Sequence, residues 1–293
     1  MSDSVQTSIG PGADWSAPAT SKAVAVRRRR SNLFAVRKGL DKATSTAMSL
    51  AFFAVLLVLW SAVSGLGVVS DFFLPSPLAV LATARQLYFQ DGFVLDLAVS
   101  IHRVGVGFLL AALIAVPLGL LMGSFQLFRS MLEPCLAFMR YMPATAFIPL
   151  LVLWLGIDDA QKFSVIFVGT FFTLTLMVMV STLSVPIALI ESAMMLGASP
   201  ARLVRKVILP AAKPAIFNDL RIVLGWAWTY IVIAEIVAAS SGVGYVILKA
   251  SRYMDTATIF VGIISIGLVG LTSDLLFIAA GRRLFPYLQR SRS

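Results

Sequence analysis

Long apolar stretches dominate this chain, and their length decides what it can fold into. About 20 mostly apolar residues in helical form cross the roughly 30 Å hydrocarbon core of a bilayer. Such stretches occur at about 47–68, 103–123, 131–155, 162–181, 217–239 and 257–280. Inside lipid every backbone N–H and C=O must find a partner within the protein, which selects helices for these segments. With 59% hydrophobic and 13% charged residues, the 293-residue chain carries more apolar surface than a water-soluble fold of that length covers. The expectation is an all-α integral membrane protein with six transmembrane helices. A single cysteine, Cys135, excludes an intrachain disulfide.

Charge then orients the spans. Lys22, Arg27, Arg28, Arg29, Arg30, Arg37, Lys38 and Lys42 precede the first span, and basic residues are retained on the cytoplasmic side. Six spans from a cytoplasmic N-terminus return the C-terminus to the same side, and Arg202, Arg205, Lys206, Lys213, Arg282 and Arg283 then fall inside. The net charge of +10 thus reads as orientation and attraction to anionic lipid. Because the arginine run abuts a membrane span, no nucleic-acid partner is expected. The domain reading is a partly disordered basic tail over 1–46, a first helix and outer amphipathic segment over 47–95, a transmembrane domain over 96–285 and a short tail over 286–293. Within the second of these, Ser76-Pro77 is a helix start, since serine caps free N–H groups and proline has none to lose.

Polar residues inside apolar spans mark either internal pairing or a pathway, because a charge in the bilayer costs about 2.5–3.5 kcal/mol near its centre. Arg103 is read as snorkelling or reaching into a central pathway, and Arg140 as lining a pathway or snorkelling to the inner interface. Pro143 and Pro149 flank Thr145 and bend the third span, which suggests a pathway wall. Trp226 and Tyr230 stand on the fifth span beside Glu235, which is read as structural or pathway-lining, with the following Ser-Ser-Gly-Val-Gly turn as a source of N–H donors. Asp274 is expected to pair with Arg221 or Arg282. Gly105, Gly107, Gly119 and Gly123 suit close helix approach. His102 has no companion at ligand spacing, so no metal and no cofactor are expected in this chain. Neither a nucleotide-binding Gly-x-x-x-x-Gly-Lys nor a credible Ser-His-Asp set occurs, so the chain is not expected to be an enzyme.

Between the fourth and fifth spans lies a polar, basic island from Glu191 to Pro210. Gly197 supplies a tight turn, Ser199-Pro200 starts a short helix, and Leu209-Pro210 is expected to end it. The reading is two rigid pieces joined at a cytoplasmic elbow.

The spacing of this island resembles the signature of binding-protein-dependent ABC importer permeases: Glu-Ala-Ala, three residues, Gly, nine residues, Ile, one residue, Leu-Pro. Glu191, Ala193, Gly197, Leu209 and Pro210 match in register, with Ser192 and Val207 as conservative departures. The segments 140–149, 153–159 and 234–245 are similar to the nitrate, sulfonate, taurine and bicarbonate importer group, although Asp158-Asp159 replaces a usual Gly-Glu. The resemblance implies the type I importer fold with a cytoplasmic coupling helix between spans four and five, in a bacterial inner membrane. It also implies a homodimer, two ABC ATPase subunits that bind ATP and Mg, and an extracytoplasmic solute-binding protein. By the same resemblance, Glu191, Ala193, Leu196, Gly197, Ala198, Ser199, Pro200, Leu203, Leu209 and Pro210 form the ATPase-coupling stretch. The cargo implied is a small anion moved by alternating access. A passive channel or membrane scaffold that engages no ATPase is the rival reading.

Overall fold

A computed structural model of the chain describes residues 41–287; the basic run before Asp41 and Arg290 and Arg292 at the other end lie outside it. Among the described residues the α-helices are α1 (Lys42–Gly65), α2 (Pro77–Phe89), α3 (Phe93–Ser124), α4 (Gln126–Arg140), α5 (Ile148–Leu155), α6 (Asp159–Leu183), α7 (Ile187–Met195), α8 (Pro200–Leu203), α9 (Leu209–Ala238), α10 (Val243–Arg252) and α11 (Thr256–Leu284). A division into two units falls within α1, between Val55 and Leu56. The first unit's described part is a helical stretch with exposed Leu50, Phe52 and Phe53.

Among the described residues five helical segments are long and apolar enough to cross a membrane, and there are six when the bent pair formed by α4 with residues 144–155 is counted as one span. Counted this way the segments correspond to the six expected spans, with three corrections. The second span begins at Phe93, well before residue 103, because Gly92 at φ 73° is the residue that ends the preceding turn. The third span is not one bent helix. It breaks by 85° between Arg140 and Ala144, where Pro143 adopts an extended conformation and cannot donate to the preceding turn. Pro149, by contrast, sits at the start of α5, where a missing N–H costs little.

The third correction concerns Pro210, which does not end a helix. An unbroken apolar helical run extends from Pro200 to Val237, and residues Val204–Ile208 widen into a π turn closed by Leu209 N–H on the carbonyl of Val204. A proline ring clashes with the carbonyl four residues earlier. The wider turn gives that carbonyl room, so the helix absorbs the proline.

The main core of the second unit lies where α3, α6 and α9 meet, with Val104, Ile166, Leu174, Val178, Val223, Ala227 and Ile231 buried. Three of the four glycines singled out on α3 set the α3–α6 separation. A Cβ on Gly107 would lie 2.8 Å from Ile166 Cβ, one on Gly119 2.6 Å from the Thr175 carbonyl, and one on Gly123 2.5 Å from Thr182 Cβ. Gly105 faces open space. At the other flank, Trp60 stacks on Phe260 with centroids 5.5 Å apart and donates to the Pro75 carbonyl, while Ser76 accepts from Ala79 N–H and caps α2.

The glycine geometry sets the first test. Gly119→Val should lower the thermal stability of the detergent-purified protein by about 1–3 kcal/mol, as expected for overpacking, whereas Gly105→Ala should leave its melting temperature unchanged.

Candidate functional site

The island between α6 and α9 folds as an elbow. Helix α7 ends in a C-terminal closure in which Ala198 N–H donates to the Ala193 carbonyl at 3.0 Å and Gly197 N–H to the Met194 carbonyl at 2.9 Å. This six-to-one and five-to-two pattern needs a left-handed residue, and Gly197 supplies it at φ +75°. The turn thrusts Met195 and Leu196 outward, 89% and 88% exposed. Glu191, Gly197 and Pro200 are exposed, Ala193, Ala198 and Ser199 half-buried. Leu203 turns inward against the core cluster, with Val204 beside it. Ser199 has the extended conformation of an N-cap, but its hydroxyl makes no cap hydrogen bond. Leu209 and Pro210 lie in the first turn of α9. The elbow is therefore an exposed apolar tip on a hydrogen-bonded turn, joined without a break to a long helix.

At the far end of α9 a polar cluster lies inside the protein. Glu235 is fully buried. Its carboxylate accepts from Ser100 Oγ at 2.8 and 2.9 Å, from Arg103 Nη1 at 2.8 Å and from Gly244 N–H at 2.8 Å. Arg103 donates through Nε to Asp159 Oδ1 at 2.8 Å, through Nη1 also to the Ser241 carbonyl at 2.7 Å, and through Nη2 to Ser241 Oγ at 3.1 Å. Nη2 also lies 2.7 Å from Asp159 Oδ1. Every N–H of the guanidinium is thereby used. The Arg103 side chain is 5% exposed and that of Asp159 48%.

The turn into α10 is shaped around this cluster. Gly242 has φ 104°, and a Cβ there would fall 2.2 Å from Glu235 Oε1; a Cβ on Gly244 would fall 2.6 Å from Glu235 Cβ. Asp96 Oδ1 accepts from Gly242 N–H at 2.7 Å, and Ser100 Oγ accepts from Val243 N–H at 3.0 Å. On α6, buried Lys162 donates to the carbonyls of Ile157 and Asp158.

Of the residues marked as pathway candidates, the structure brings together only Arg103 and Glu235. Arg140 stacks over Tyr141 at 5.1 Å beside the break in the third span, and Thr145 lies in the short 3-10 turn after it. Trp226 is 43% exposed, and Tyr230 packs its ring against Gly169. Between α9, α10 and α11 runs a groove of about 500 Å³ lined by Gly225, Trp228, Thr229, Ile247 and Gly267. Asp274 pairs with Arg221, as one of its two expected partners, at 2.8 Å through Nη2. His102 meets Phe163 edge-on. Sequence reading missed Asp96, Ser100, Asp159 and Ser241. Asp96, Ser100 and Arg103 stand at i, i+4 and i+7, one stripe of a helix, but a span starting at residue 103 hid two of them.

A family model described as binding-protein-dependent transport system inner membrane component matches residues 115–286. The chain belongs to this family. It is accordingly a multi-pass permease subunit of an ABC importer, a transport component and not a catalytic one. The permease is 40% identical over 248 residues to a probable ABC transporter permease protein of Brucella abortus (strain 2308), covering 85% of this chain and 98% of the relative. It is 36% identical over 234 residues to the putative aliphatic sulfonates transport permease protein SsuC of Bacillus subtilis (strain 168), covering 80% and 85%. A solved chain of the MetNI methionine ABC transporter, in an inward-facing conformation, shares the fold with a TM-score of 0.54 at 22% identity, covering 64% of the permease and 95% of that chain. The permease thus has the type I importer fold.

The cluster around Glu235 predicts a large stability effect. Glu235→Ala would leave Arg103 buried with a single carboxylate partner and strip the acceptor from Gly244 N–H. Breaking a buried pair in this way costs about 3–5 kcal/mol, and the variant should show a strongly reduced yield of folded permease on size-exclusion chromatography.

Proposed function

We propose that two copies of this permease form the membrane pathway of an ATP-driven importer for a small anionic solute, of the sulfonate, nitrate or bicarbonate class. The exposed elbow supports this reading most directly. Two large apolar side chains, Met195 and Leu196, stand almost fully in the open on a turn held by its own hydrogen bonds. An apolar tip of this kind lowers the free energy of the molecule when a groove on another subunit covers it. The partner in this reading is an ABC ATPase on the cytoplasmic side, the same side as both chain termini, and the exposed basic residues Arg202, Arg205 and Lys206 favour that side.

ATP and Mg belong to the ATPase; the permease supplies the receiving surface and the moving helices. Closure of the two ATPases displaces the elbow, and the elbow displaces α9 because the helical run from Pro200 to Val237 joins them. Alternating access of the paired pathway then follows. An extracytoplasmic solute-binding protein delivers the cargo and sets most of its selectivity. The sulfonate class draws support from the similarity to SsuC.

Uptake of a radiolabelled sulfonate into proteoliposomes holding the complete complex, dependent on internal ATP, is the deciding measurement. A purified complex lacking any ATPase would favour a scaffold instead, and uptake without ATP a channel. Gly197→Val sharpens the elbow claim. A branched side chain at φ +75° opens the turn, so the variant should insert normally in the membrane yet retain little ATPase in copurification. Undiminished recovery of ATPase would remove the elbow as the docking element.

A further inference from the structure

The N-terminus of α10 lacks a cap of its own, since Gly242 at the cap position has no side chain. Its first N–H groups are instead satisfied one by one from two other helices. Gly242 N–H goes to Asp96 of α3, Val243 N–H to Ser100 of α3, and Gly244 N–H to Glu235 of α9. Arg103, one turn along the same α3 stripe, holds the carbonyl and hydroxyl of Ser241. We infer that Asp96, Ser100 and Arg103 of α3 and Glu235 of α9 form a socket that makes the start of α10 move as one piece with α3 and α9, so that displacement at the elbow reaches the opposite end of the permease through these four positioning residues.

Three observations carry this. First, α9 spans 30 residues, about 45 Å at ~1.5 Å per residue, and runs from the elbow to the socket without a break. Second, the fit is tight. Gly242 and Gly244 both lie so close to Glu235 that an added Cβ would collide with it, so the turn cannot slide past the carboxylate. Third, α10 walls a polar cleft of about 610 Å³ whose lining includes Thr83 and Asp91 with Tyr245, Lys249 and Asp255, and Asp96 of the socket lies in that lining too. Movement of α10 therefore reshapes the cleft.

The cluster is graded in strength. Its Glu235 half is fully buried and held by three donors, Ser100, Arg103 and Gly244 N–H, whereas its outlying member, Asp159 on α6, is half in contact with solvent. Asp159 is the partner of Arg103 that water reaches. No such access is open at Glu235. Of the contacts in the cluster, the water-reached one to α6 is the first to yield, and the buried grip of Glu235 on the start of α10 persists.

This inference rests on the reading of the elbow as the ATPase contact and of the cleft end as the side where the binding protein docks. The test is Asp96→Ala in the complete complex in nanodiscs, with Ser100→Ala as the second variant. Asp96 is only half-buried, so its variant should fold, with a melting temperature lowered by about 2–4 °C. Hydrogen–deuterium exchange should then show faster exchange confined to residues 242–244. The ratio of binding-protein-stimulated to basal ATPase turnover should fall about fivefold, the factor matching loss of one hydrogen bond of about 1 kcal/mol from the coupled state. Ser100→Ala, which lies outside the cleft lining, should lower the same ratio, and a fall with Asp96→Ala alone would assign the effect to docking and overturn the socket. Faster exchange with an unchanged ratio would overturn the role of the socket, and so would unchanged exchange. A wild-type complex whose ATPase does not respond to the binding protein would overturn the docking reading as well, which separates the two failures.

Discussion

The carboxylate of Glu235 lies in the apolar interior of a membrane protein with no exposed surface, and much of the architecture around it answers that burden. An ionised carboxylate far from water persists only where donors replace the lost hydration. Ser100, Arg103 and Gly244 N–H are those donors. Arg103 then needs acceptors of its own, and Asp159 and Ser241 supply them. One buried charge thereby fixes the relation of α3, α6, α9 and the start of α10. The glycines at 242 and 244 follow from the same requirement, because no side chain fits between the turn and the carboxylate.

Along α9 the two functional ends are built in opposite ways. The elbow end exposes apolar side chains and keeps its polar groups within the backbone turn. The far end buries polar side chains and leaves the backbone N–H groups of a neighbouring helix to be satisfied by them. Between the two, the π turn at Val204–Ile208 lets the helix pass Pro210 without a kink-inducing clash. A rod of this build would pass displacement rather than absorb it, as the proposed docking at the elbow requires.

Much of this was legible in the chain alone. Segment length and apolarity located six spans, and the Gly197 turn followed from spacing and the special conformation glycine allows. The expectation that Asp274 pairs with Arg221 or Arg282 and that Glu235 accepts from the following glycine turn also came from local chemistry, and the geometry agrees with both. Other readings failed for identifiable reasons. Hydropathy placed the start of the second span at residue 103, because Asp96 and Ser100 lower the local average; their polarity is spent on α10, not on water. Proline at 210 was read as a stop, while a locally wider turn accommodates it. Ser199 was read as a capping side chain, and its hydroxyl is not used that way. Asp159 was read only as part of a departure from the usual Gly-Glu, and it is one of the two carboxylates of Arg103.

By itself the sequence determined the number and character of the spans, the place of the elbow and the family, because each depends on residues close together along the chain: runs of apolar side chains, a glycine at a turn, a fixed spacing. Only the tertiary structure decided which polar residues inside the membrane meet. Arg103 and Glu235 are separated by more than half of the second unit's chain, and Asp159 joins them from a third helix. The contact of Arg103 with Asp159 depends on how closely α3 and α6 approach, and that distance is set by the missing side chains of Gly107, Gly119 and Gly123 against α6. Pattern along one helix records that a face is small or polar. It does not record which other helix will be pressed against it.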